Sequence, residues 1–184
     1  MKYVKMLGLL AVAEAALMAF AGTASATITS GGSAYTGEIS ASSSNSELDG
    51  TVDVKCKSST VAGTTTSGAT SSSVSTLDFT ECGADTVSVV KNGSLSISSA
   101  GSVSSSGAEV TVQVHRSVFG FPVTTHCIYS TGAGTTVGTL TEGTTTIHLL
   151  GTNIPQVATD GGCGSNAQWT GTYTISKPGA LTVD

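Results

Sequence analysis

The chain has 184 residues and a formal net charge of −5, with 10% charged and 39% hydrophobic residues. It carries 28 Ser, 30 Thr and 23 Gly, whereas an ordinary domain is about 25% charged and leans on Leu, Glu and Lys. That balance excludes a helical bundle, a coiled coil, a basic nucleic-acid binder and a highly charged disordered tail, and it suits a secreted all-β module.

Lys2 and Lys5 open the chain, and an apolar stretch from Met6 to Phe20 follows, broken by Glu14. Ala24-Ser25-Ala26 then supplies a small-residue cleavage pattern. A spanning helix needs about 20 apolar residues, so residues 1–26 are predicted to be a signal peptide and 27–184 a single exported domain. Without the leader the chain keeps five basic and eleven acidic residues, with Arg116 its only arginine. Such a surface repels phosphate backbones, and no nucleic-acid partner is expected.

After Ala26 every readable stretch has period two. Val52, Val54 and Cys56 alternate with Asp53, Lys55 and Lys57; Val110, Val112 and Val114 alternate with Thr111, Gln113 and His115. Ala167, Trp169, Gly171, Tyr173 and Ile175 alternate with polar neighbours. Alternation puts one face on a core and one in water, and Thr suits the wet face. Further strands are predicted near 35–41, 59–66, 74–82, 85–91, 94–99, 121–130, 135–141, 144–150 and 180–184, separated by Gly, Ser and Asn clusters. About ten short strands point to an antiparallel β-sandwich or jelly roll, with a β-solenoid as the competitor.

Cys56, Cys82, Cys127 and Cys163 all fall in the exported part, where disulfides form. Three pairings are possible. A faint internal duplication favours Cys56–Cys82 and Cys127–Cys163: Cys82-Gly83 begins a run ending in Ser94-Leu95-Ser96-Ile97-Ser98, and Cys163-Gly164 one ending in Thr172-Tyr173-Thr174-Ile175-Ser176. The absence of any C-x-x-C spacing argues against a metal or redox role for these cysteines.

The arrangement resembles the alkane-oxidation activator (PraA/PraB-like) family of small secreted bacterial proteins. The matching pieces are Cys56-Lys57-Ser58-Ser59-Thr60, Thr80-Glu81-Cys82-Gly83, and Gly162-Cys163-Gly164 with the closing strand. The segment from His115 to Cys127 has no counterpart in that pattern. The resemblance implies an exported, non-enzymatic accessory protein that helps cells handle hydrophobic substrates or surfaces.

That unmatched segment is the most distinctive in the chain. It places Phe119 and Phe121 around Gly120, then Pro122, between two strands. A hairpin turning at Gly120 and Phe121 would set Val114 opposite Cys127 and His115 opposite His126, so that the two imidazoles meet. With His148 or a carboxylate they would form a metal platform; otherwise they are solvated histidines on a polar face. Phe119, Phe121 and Pro122 either plug one end of a sandwich or form an apolar tip that meets lipid, hydrocarbon or a partner.

Enzyme signatures are absent: there is no G-x-S-x-G, H-E-x-x-H or phosphate-binding Gly loop. No catalytic residue and no cofactor is expected. Glu47, Asp49 and Asp53 around Gly50 read as a solvated acidic turn rather than a calcium cage. Trp169 reads as core, or alternatively as a sugar-stacking platform. Asn92-Gly93-Ser94 fits a glycosylation sequon and equally a tight turn. Two functions therefore compete: contact with hydrophobic surfaces, expected if Phe119 and Phe121 are exposed, and carbohydrate or cell-wall binding, expected if Trp169 is. A small secreted hydrolase ranks below both.

Overall fold

The computed structural model describes residues 27–50, 53–66 and 68–184. The leader assigned to residues 1–26 lies outside them, as does Val52. The described residues form strands and no helix. In chain order the strands are β1 (Ile28–Ser30), β2 (Ser33–Ala34), β3 (Gly37–Ser43), β4 (Ser46–Asp49), β5 (Val54–Cys56), β6 (Ser58–Thr65), β7 (Ser71–Thr80) and β8 (Thr86–Lys91). They continue with β9 (Ser94–Ile97), β10 (Ser102–Ser106), β11 (Glu109–Val118), β12 (Phe121–Ser130), β13 (Thr135–Leu140), β14 (Thr146–Thr159), β15 (Asn166–Lys177) and β16 (Thr182–Val183).

The expected sandwich or jelly roll is replaced by a closed barrel. Eight antiparallel strands follow one another as β3-β6-β7-β9-β10-β13-β14-β15, and β15 returns to β3 through Thr174↔Ser42 and Ile175↔Ala41. Alternation along each strand is the same in a sandwich and a barrel, because each has one dry face per strand. Closure is decided by partner choice, which periodicity does not carry.

The chain leaves the barrel three times. β4 and β5 lie between β3 and β6 in sequence, β8 between β7 and β9, and β11–β12 between β10 and β13. These excursions join the far halves of β14 and β15 in a second, open sheet of order β5-β4-β15-β14-β12-β11-β8. β14 and β15 are long enough to serve both layers, and a bulge between Leu150 and Thr152, around Gly151 at φ 68°, marks the change. Where β8 hands back to β9, Gly93 sits at φ 69°, and a Cβ there would lie 2.4 Å from the Ser106 carbonyl oxygen. Only glycine fits that crossing. The Asn92 side chain meanwhile donates to the Ser75 carbonyl at 2.9 Å, so this Asn-Gly pair serves as a turn.

Core residues follow the alternation. Ala41, Val103, Val137, Tyr173 and Ile175 are buried inside the barrel. β1, β2 and β16 form a small sheet whose Ile28, Leu181 and Val183 are buried. It lies against the loops that close β6–β7 and β13–β14, through Ile28 N–H to the Ala69 carbonyl and the Thr144↔Leu181 bridge. Trp169 joins barrel and open sheet, with ring centroids 5.5 Å from Phe79 and 5.8 Å from Tyr173.

The disulfides are Cys56–Cys82 and Cys127–Cys163, the pairs favoured by the duplicated run. The first ties the end of β5 to the turn after β7; the second ties β12 to the β14–β15 loop. The strand count exceeds the expected ten or so. β4 and β5 flank the acidic turn, with Asp49 and Asp53 exposed, while Ser46 and Leu48 of β4 face inward. β10 lacks the apolar alternation that marks a strand in sequence, because Ser105, a hydroxyl, takes an inward place beside Val103.

Candidate functional site: an apolar finger

β11 and β12 pair over ten rungs, from Glu109↔Ser130 to Val118↔Phe121. β8 covers β11 only over Glu109–Gln113, and β14 covers β12 only at Cys127, Ile128 and Tyr129. Residues 114–126 therefore extend past both flanking strands as a two-stranded finger.

The base of the finger is fastened. The His115 backbone N–H donates to Asp85 Oδ1 at 2.9 Å, with the His115 ring 3.9 Å from the same oxygen. His126 Nδ1 meets Asp160 Oδ2 at 2.7 Å, and the Asp160 N–H returns to the His126 carbonyl at 3.3 Å. The Cys127–Cys163 disulfide lies one residue further in.

The tip is apolar and strained. Phe119 and Gly120 occupy the two central turn positions at φ 51° and 84°, the signs a type I′ hairpin turn requires. Gly adopts this conformation freely, whereas a bulky side chain there is an outlier that costs about 1–2 kcal/mol. Phe119 is nonetheless 97% exposed and Phe121 72% exposed, with Val118 and Val123 exposed beside them. Pro122, also exposed, pairs with Ser117. The residues are at a tip, and the alternative in which they plug a sandwich end is overturned.

The turn sits one residue earlier than the sequence reading placed it, which corrects the register by two. Val112, not Val114, faces Cys127, and His126 faces Gln113, while His115 faces Thr124. His115 and His126 share a face diagonally, and each is held by its own carboxylate. His148 lies on β14, its Nδ1 3.3 Å from the Thr172 hydroxyl, so the three histidines are not gathered. Among the described residues no group of three or more His, Cys, Asp and Glu is placed to hold a metal ion.

Trp169 is buried, which removes it as a stacking platform; Tyr129 and Tyr173 are buried and Tyr35 half-buried. Glu47 pairs with Lys55 at 3.0 Å, and Asp53 beside Asp49 holds the Asp49 carboxyl above its usual range. An open groove of about 440 Å³ passes His148, Glu47 and Leu150, but no aromatic wall lines it.

One cluster was not visible in the sequence. The Tyr173 hydroxyl on β15 donates to Ser59 Oγ on β6, two strands away, at 2.7 Å. Burial pushes this phenol up to about 12, opposed by the Ser59 hydrogen bond and by the polar atoms of Trp169 and Ser46 alongside. Trp169 Nε1 and Ser46 Oγ themselves have no hydrogen-bond partner. Tyr173 and Ser59 lie 114 positions apart, and no local spacing announces them.

Comparisons with protein-family models, curated proteins and solved structures found no match for this chain. Fold and site together define a class: a disulfide-stapled, closed β-barrel carrying an appended sheet that holds out one apolar finger.

Proposed function

We propose that this is an exported, non-enzymatic surface protein that adsorbs to hydrophobic liquid surfaces, hydrocarbon or lipid, through the tip of the β11–β12 finger. One observation carries the reading: among the described residues the exposed aromatic side chains are Phe119 and Phe121, and both stand at that tip. A narrow convex turn offers a protein partner no recess, whereas a deformable apolar phase closes around it. Burying two Phe side chains is worth about 3–6 kcal/mol, enough for reversible adsorption comparable to a single acyl chain but not for permanent anchoring. Two disulfides accord with an extracytoplasmic setting. The resemblance to the alkane-oxidation activators implies the same role.

Carbohydrate binding is the weaker alternative, since it calls for an exposed aromatic platform and Trp169 is buried. The test is a binding screen of the disulfide-bonded protein against hexadecane droplets, neutral phospholipid vesicles and insoluble polysaccharides. Retention on droplets or vesicles supports the proposal and tells the two apolar phases apart. Retention on polysaccharide alone overturns it.

A further inference from the structure

The finger carries a charge as well as an apolar tip. Residues 114–126 include no Asp or Glu, whereas the whole chain has a formal net charge of −5. Arg116, the only arginine in the chain, lies among them. The lysines of the described residues, Lys55, Lys57, Lys91 and Lys177, lie outside the finger, each against a glutamate at 2.8–3.1 Å. The acids at the finger base, Asp85 and Asp160, meet the His115 N–H and the His126 ring on rungs behind Arg116. Along the finger, Arg116 is therefore the first charge behind the tip.

Register puts that charge on the apolar face. Arg116 faces Val123, two rungs behind the Val118↔Phe121 pair, and alternation along β11 sets it on the side of Val114 and Val118. Val118, Phe121 and Val123 are exposed, and Arg116 is half-buried. At about 3.3 Å per strand residue, its Cα lies about 7 Å behind Val118. An apolar element seats about 5–10 Å deep at the boundary of headgroups and acyl chains. With Phe119 and Phe121 at that depth, Arg116 is level with the phosphates, whose oxygens its planar fork of donors matches. A bare hydrocarbon surface offers a guanidinium no such partner.

We infer that the finger docks on phospholipid membranes with anionic headgroups, its Phe tip entering the acyl region while Arg116 holds a lipid phosphate. The inference rests on the adsorption reading above and adds the headgroup that the finger selects. A zwitterionic lipid balances its phosphate with its own cation, so the net attraction is to anionic lipid. The acids of the protein body act on the membrane only weakly, because salt screens exposed charges beyond about 8 Å at physiological ionic strength.

The test is the partition of the disulfide-bonded protein onto hexadecane droplets, phosphatidylcholine vesicles, and vesicles of equimolar phosphatidylcholine and phosphatidylglycerol, at low and high salt. The parent is expected to favour the mixed vesicles about fivefold at low salt, the worth of one cationic side chain near an anionic surface. High salt removes that preference. Arg116→Gln loses it at low salt and stays on hexadecane, whereas Arg116→Lys, which keeps the charge, keeps the preference. Three results overturn the inference and leave adsorption standing if the droplets still hold the parent: equal partition of the parent onto both vesicles, a preference that survives in Arg116→Gln, or its equal loss in Arg116→Lys. A parent that stays off droplets and both kinds of vesicle overturns the inference and the adsorption reading together.

Discussion

Val118 faces Phe121 across a two-residue turn whose first residue is itself a phenylalanine. The hairpin thus presents its largest apolar group where the backbone is least suited to carry one. Phe119 gains no packing from this position, since it is 97% exposed. Replacing it by Asn makes an Asn-Gly pair, the favoured type I′ sequence. Phe119→Asn is expected to stabilise the fold by about 1 kcal/mol, read as a melting temperature higher by roughly 2–4 °C, while adsorption to hexadecane weakens. A variant that is less stable than the parent contradicts this account of the turn.

The two disulfides close segments with sequence separations of 26 and 36, each worth about 3–4 kcal/mol by loop entropy. Cys56→Ala/Cys82→Ala should therefore lower the melting temperature by roughly 10 °C. Cys127→Ala/Cys163→Ala should cost a similar amount and also speed amide exchange at the finger base, because that bridge ties β12 to the β14–β15 loop. Exchange there unchanged in the second variant counts against the clamp.

Tyr173 makes stability fall at alkaline pH. An unfolded tyrosine ionises near 10, but burial holds Tyr173 up to about 12 in the fold. Its contribution is complete below pH 10 and is lost as pH rises from about 10 to 12, because there only the unfolded chain gives up its proton. The loss is roughly 3 kcal/mol by linkage. Tyr129, likewise raised by burial, acts in the same direction. Denaturation melts at stepped pH should show a shallower alkaline decline for Tyr173→Phe, with a fixed cost at neutral pH from the lost Ser59 hydrogen bond.

Gly93→Ala tests the crossing from β8 to β9. The new methyl group meets backbone at Ser106 and Ala108 and a positive φ at once. The expected loss is about 2–4 kcal/mol in a denaturant titration, far above the cost of an exposed Gly→Ala change.

Much of this was legible in the residues themselves. The β11–β12 strands, the cysteine pairing and the inward place of Trp169 follow from alternation and order along the chain. Three features were not legible, for separate physical reasons. Barrel closure depends on which strand edge β15 meets, and Ile175 alternates identically in either architecture. The finger's register turned on one residue: a two-residue turn at Phe119-Gly120 requires a bulky side chain at positive φ, which local propensity argues against. The Tyr173–Ser59 bond joins strands far apart in sequence, so only the closed sheet reveals it.

Adsorption is proposed to rest on Phe119 and Phe121. The most direct measurement is the fraction of protein retained on washed hexadecane droplets, for the parent and for Phe119→Ser/Phe121→Ser at matched folded fraction. The account predicts retention of the parent and at least a tenfold weaker partition of the variant, about 1.4 kcal/mol or more, with its melting temperature unreduced. Equal retention of the two proteins would contradict it.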